Sequence, residues 1–169
     1  KDWKGAAAQF DEALKFNPEY TEAYNSRGEA RLRSEDLNGA LTDYSTAISL
    51  DPKNPTYYYN RAVMLFNFLQ MDHDAIKDYN MVVQLKPDYS EGWNNRGLVK
   101  LVLCDEEIKS ARKAEYEGRQ EDFKKHMAEA DKYFEAGCSD IRQAAKLGLP
   151  KAIENIPRFC SEEAKKQMM

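Results

Sequence analysis

Tyr58-Tyr59-Asn60-Arg61-Ala62, then Ala75, Tyr79 and Val82, then Pro87: this order of residues recurs along the 169-residue chain and decides how it is read. Counting back twelve, eight and five residues from Pro18 gives Ala6, Phe10 and Ala13. The same steps from Pro52 give Ala40, Tyr44 and Ala47, and from Pro87 they give Ala75, Tyr79 and Val82. The three prolines lie 34 and 35 residues apart. Tyr24-Asn25-Ser26-Arg27-Gly28 and Trp93-Asn94-Asn95-Arg96-Gly97 match the quoted quintet at the same phase. Three-and-four spacing of small and apolar residues is the mark of helix. A fixed period of such helices means units that cannot bury an apolar face alone and must stack.

Aromatic-x3-Gly/Ala, then Ala-x3-aromatic-x2-Ala, then Pro, at a period near 34, resembles the tetratricopeptide repeat, in the "Asn-Arg-Gly" form with a bacterial look. The resemblance implies an all-α chain, a right-handed α-solenoid of antiparallel helix pairs. Its divisions follow from the phase: residues 1–20 are the second helix of a truncated repeat, 21–54 and 55–89 are repeats, 90–148 is a repeat with an insertion, and 149–169 form a capping helix and tail. The chain opens at the phase of a second helix, so it reads as an excerpt of a longer array, and the sequence assigns no compartment.

Composition agrees with a folded helical chain and removes several functions. Apolar residues make up 42% and charged residues 32%, with a net charge of −4. No stretch is long and apolar enough for a membrane span, and no basic stripe interleaved with aromatics offers a nucleic-acid footprint. Glycine-rich phosphate loops and nucleophile elbows are missing. The two histidines, His73 and His126, lack evident catalytic partners. Asp72-His73-Asp74 reads as a solvated turn with a capping Asp, because adjacent side chains seldom converge on one ion. No enzyme activity, metal or other cofactor is expected.

The third repeat departs from the pattern. Cys104 stands where the turn belongs, and the second-helix signature returns only at Gly137-Cys138-Ser139-Asp140-Ile141, leaving 28 extra residues. Shared between two antiparallel arms, this adds about 21 Å of helix to each. Leu101, Cys104, Ile108 and Ala111 on one side, and Phe123, Met127, Ala130 and Phe134 on the other, make facing stripes of a helical hairpin over about 105–135, with Gly118 at its tip. Pro150 opens a last helix through Ile156, limited by Pro157, and Ser161 to Met169 reads as frayed helix. If the last helices run antiparallel, Cys138 and Cys160 approach closely enough for a disulfide; the plainer reading is small buried hydrophobes.

In arrays of this family the first helix of each repeat lines a concave groove. Carried over by phase, the groove residues include Asn25, Ser26 and Glu29, with Glu22, Leu32 and Arg33 beside them; then Tyr59, Asn60, Val63, Phe66 and Asn67; then Asn94, Asn95, Leu98 and Leu101. Asn60 and Asn95 are equivalent, and an amide both donates and accepts, so it can pair with any peptide backbone. The arrangement resembles the asparagine ladder of O-linked N-acetylglucosamine transferase. The partner implied is another protein or peptide, neutral or basic, since Glu22, Glu29 and Glu91 outweigh Arg33. A carboxylate clamp of the chaperone-binding kind needs Lys and Arg where this chain has Glu22, Thr56 and Glu91. Two alternative uses stand beside it: a structural or self-assembly scaffold whose hairpin arms pair into a homo-oligomer, and a regulatory segment of a larger protein. Arg27, Arg61 and Arg96 keep step with Asp43, Asp78 and Asp140, which suggests repeated ion pairs between helices.

Overall fold

The structure is a computed structural model and describes residues 2–168. Among them are nine helices and no strand. They form two compact units, one ending at Lys86 and the other beginning at Pro87. The first unit holds α1 (Trp3–Phe16), α2 (Thr21–Arg33), α3 (Leu37–Leu50), α4 (Pro55–Leu69) and α5 (Asp72–Leu85). The second holds α6 (Ser90–Tyr116), α7 (Gln120–Lys146), α8 (Pro150–Phe159) and α9 (Glu162–Met168).

Helix limits follow from local chemistry. Asp2 and Asp36 accept hydrogen bonds from the amides of Gly5 and Gly39 at 2.8 and 2.9 Å, satisfying orphan donors at the starts of α1 and α3. Asn54 does the same for Thr56 at 3.0 Å, with Pro55 pre-set in the first turn of α4. Helices α1, α3 and α5 each stop at the residue before a proline. Asn17, Asp51 and Lys86 take φ of −137°, −136° and −137°, because the next proline ring excludes helical backbone there. The expected turn with a capping Asp is corrected: Asp72, His73 and Asp74 open α5, and the cap position is Met71, which makes no side-chain cap. The extra residue of that repeat lengthens α4, which closes on Gln70 at φ 53°.

In the first unit the core joins Ala40 and Tyr44 of α3 to Met64 of α4, with Leu32, Leu37, Leu41 and Leu69 around them. Tyr58 donates its hydroxyl to the Pro52 carbonyl at 3.2 Å, tying a first helix to the preceding turn. The buried carboxylates are held. Asp43, 1% exposed, receives Arg27 through two bonds of 2.9 and 2.6 Å and Arg31 at 2.9 Å. Asp78 receives Arg61 at 2.7 and 2.8 Å, and Arg61 also donates to the Ser45 hydroxyl at 3.0 Å.

In the second unit Trp93 repeats the tyrosine's part, its indole N–H donating to the Pro87 carbonyl at 2.8 Å. Asp140 receives Arg96 through two bonds of 2.7 Å and Lys100 at 2.7 Å. Helices α6 and α7 are 27 residues each, about twice the length of α2 and α3, and meet at a turn where Gly118 takes φ 73°. Their approach is closest at Gly97 and Gly137. A methyl group on Gly97 would lie 2.7 Å from the Gly137 carbonyl oxygen, so neither position has room for a side chain. Along the hairpin Leu101, Cys104, Ile108, Ala130 and Phe134 are buried, while Phe123 and Met127 are half-buried.

Two expectations at the carboxyl end are corrected. Helix α8 does not stop at Pro157 but continues to Phe159. The tail is not frayed: α9 lies on the hairpin, with Lys165 bridging Asp131 and Glu135 at 2.9 Å each. Cys138 and Cys160 form a disulfide, so the plainer reading of two buried hydrophobes gives way; Cys104 is free and buried.

Candidate functional site

Helices α2, α3 and α4 together build a concavity in the first unit. It encloses about 280 Å³ and is lined by Glu29, Leu32, Arg33, Tyr44, Tyr59, Asn60, Val63 and Phe68. The apolar floor comes from Leu32, Val63 and the Tyr44 ring. Burial pushes the Tyr44 hydroxyl well above its ordinary value of 10.0, so it stays a neutral phenol. Glu29 and Arg33 stand at the rim, exposed and 3.8 Å apart. At that exposure the pair contributes little to stability and separates easily. Tyr59 meets the Tyr79 ring edge-on, centroids 6.0 Å apart, which fixes the wall.

Asn60 connects the two helices. Its Nδ2 donates to the Asn25 carbonyl oxygen at 2.8 Å, and its own carbonyl oxygen takes no hydrogen bond within the described residues. The amide is thereby oriented, with its acceptor available to a backbone N–H. Six of the residues expected from sequence, Glu29, Leu32, Arg33, Tyr59, Asn60 and Val63, thus line one concavity, and Asn25 accepts the bond that orients Asn60. Ser26 and Phe66 are half-buried and Asn67 is exposed, and none of these three lines it. Phe68, 52% exposed, does line it and was missed. It lies outside the repeat positions carried over by phase, and its one signal was a large aromatic near a helix end.

The second unit presents a different picture. Asn94 is 2% exposed and Leu101 is 6% exposed, so these two residues, read as facing a groove, are withdrawn from solvent. Leu101 packs into the hairpin core, and Leu98 lies half-buried against it. Helix α8 covers Asn94: Asn155 donates its Nδ2 to the Asn94 carbonyl oxygen at 3.1 Å. Asn94 in turn donates to Asn95 at 3.2 Å. The Asn155–Asn94 bond repeats the Asn60–Asn25 bond of the first unit, because Asn155 stands sixth from Pro150 as Asn60 stands sixth from Pro55. Pro150 and Asn155 thus carry the same Pro-x4-Asn spacing as Pro55 and Asn60.

Among the described residues no group of His, Cys, Asp and Glu side chains is placed to hold a metal ion. His126 instead pairs with Glu107 across the hairpin at 2.6 Å. Among the described residues no helix is long and apolar enough to cross a membrane.

Consecutive antiparallel helix pairs at a period near 34 residues are the arrangement of the tetratricopeptide-repeat fold. Residues 31–67 match the family model described as TPR repeat. "Protein STIP1 homolog" of Dictyostelium discoideum is 35% identical over 97 residues, which is 56% of this chain and 17% of that protein. "Heat shock protein sti1 homolog" of Schizosaccharomyces pombe is 29% identical over 80% of this chain and 24% of its own length. The chain thus spans about a fifth of these relatives. The first TPR of Spaghetti (RPAP3), solved bound to the HSP90 peptide SRMEEVD, shares the fold at a TM-score of 0.60 and 18% identity, over 82% of this chain and 88% of that one.

Proposed function

We propose that this chain is a protein-interaction module that holds an extended peptide segment of a partner protein against its first helices. The observation that carries this reading is the oriented Asn60 amide at the edge of an apolar concavity. A backbone N–H of the peptide meets the Asn60 carbonyl oxygen, and an apolar side chain two residues along enters between Leu32, Val63 and Phe68. On α6, Asn95 and Leu98 stand at the repeat positions of Asn60 and Val63. Such contacts read shape and backbone rather than a particular sequence, and the proposed role needs no catalysis.

The favoured partner is neutral or basic. Glu22 and Glu29 are exposed on α2, and Arg33, the cation at the rim, has Glu29 beside it. Arg27, Arg61 and Arg96 are turned into the buried aspartates. A peptide ending in acidic residues, like the one bound by the RPAP3 domain, finds no free pair of cations on α2 and α4. This reading is tested with peptides selected from an unbiased display library on the purified protein. Selected peptides are expected to be neutral or basic, and to lose about tenfold in affinity on Asn60→Ala, the worth of one hydrogen bond. Selection of acidic carboxyl-terminal sequences would overturn the charge assignment.

A further inference from the structure

All three cysteines belong to one core, that of the second unit. Cys138 lies in the middle of α7, and Cys160 is the residue at which α8 ends and the chain turns into α9. The two are bonded across 22 residues, with Cα atoms 5.4 Å apart. Everything after Gly148 rests on a short set of other attachments. Helix α8 contributes buried Ala152, the half-buried Ile156 and Phe159 packed on the hairpin core, and the Asn155–Asn94 bond, and Arg142 donates to the Cys160 carbonyl at 3.2 Å. Helix α9 contributes Lys165, with Asp131 and Glu135, and Met168, whose sulfur lies 3.6 Å from that of Cys104.

Those attachments fall on two short helices. Helix α9 has seven residues and α8 ten, both below the length at which a helix persists unaided. Pro157 removes a backbone donor from α8, and Ile153 is left 56% exposed. The hairpin beneath is the opposite case: two 27-residue helices in contact along a continuous buried stripe.

We propose that the Cys138–Cys160 bond is a redox latch. In the oxidised protein it holds residues 150–168 across α6 and α7. Once it is reduced, that segment lifts away and uncovers Asn94 and Cys104, while the hairpin keeps its fold. A dithiol reductant supplies the two electrons and two protons: the S–S bond breaks, two S–H bonds form, and the reductant becomes a disulfide. Cys160, 7% exposed, is the sulfur-bearing residue nearer the surface, and Cys138 at 0% is closed to attack. The latch rests on the peptide-holding reading only for what the opened face then binds, and its own test reads the segment directly.

The experiment is amide hydrogen exchange on three samples: air-oxidised protein, the same protein with dithiothreitol, and Cys160→Ser. The oxidised protein, denatured without reductant, should show one free thiol. Removing a cross-link over a loop of this size should speed exchange in residues 150–168 about a hundredfold, with α6 and α7 unchanged. Cys160→Ser should behave as the reduced protein and ignore reductant. Three thiols in the oxidised protein would overturn the latch, and so would equal protection of α8 and α9 in both forms. Loss of protection throughout α6 and α7 on reduction would also overturn it, since the bond would then be a staple of the whole unit.

Discussion

Removing Asp78 should cost the protein several times what a surface ion pair is worth. The carboxylate side chain is 6% exposed and takes both oxygens' bonds from Arg61, at 2.7 and 2.8 Å, while Arg61 is 24% exposed. Bonds to charged groups contribute about 1.5–3 kcal/mol each, and stripping one partner from a buried pair costs about 3–5 kcal/mol. Water can reach part of Arg61, so Asp78→Ala is placed at the low end, about 3 kcal/mol. Arg61→Ala, which also leaves the Ser45 hydroxyl without its donor, should cost about 3 kcal/mol. With the pair gone the second truncation adds little, so the double variant should lose about 4 kcal/mol and the coupling energy should be about 2 kcal/mol. Urea unfolding of the four proteins at neutral pH, followed by circular dichroism, supplies the numbers. A sheltered pair should keep most of that coupling in about 1 M sodium chloride, where exposed pairs are screened. Coupling below about 0.5 kcal/mol would place the pair among surface bridges and refute the argument.

Two further outcomes follow from packing and burial. Gly97→Ala drives a methyl group into the Gly137 carbonyl oxygen at 2.7 Å, where only parting α6 from α7 gives relief, so a loss of about 2 kcal/mol is expected. Gly28→Ala meets the Tyr44 ring at 2.9 Å, and Ala62 already fills the equivalent place in the next repeat, so it should lose less; equal losses in thermal melts would contradict this. Burial raises the Cys104 thiol from 9.0 to about 11. The unfolded chain therefore ionises first, and stability that is full below pH 9 should decline as pH rises to about 11, less steeply in Cys104→Ala. A pH-independent midpoint across that window would contradict the assignment.

The parts of the fold legible in the sequence are those set by local chemistry repeated at a fixed period. Pro18, Pro52 and Pro87 forbid helix in the residue before them, so three helix ends could be read directly. Arg27, Arg61 and Arg96 recur in step with the aspartates because each pair crosses the same helix contact, and all three bonds form. What escaped depends on contacts between distant segments. The burial of Asn94 follows from α8, 61 residues away from it at Asn155, and nothing near Asn94 signals that cover. The docking of α9 rests on Lys165 meeting Asp131 and Glu135, one charge contact among many that the sequence allows. Of the candidate site, the amide at Asn60 and the apolar Val63 were visible by phase. Phe68 was not, because it reaches the concavity from the last turn of α4, outside the repeat positions.

The central claim is that first-helix residues, Asn60 on α4 and Asn95 on α6, hold the partner. A pull-down from lysate of the source organism with wild type and with the Asn60→Ala, Asn95→Ala double variant, after circular dichroism has shown both folded, tests it most directly. A partner captured by wild type and lost by the variant is the predicted result. The same partner retained by both would contradict it and move the working surface to the hairpin.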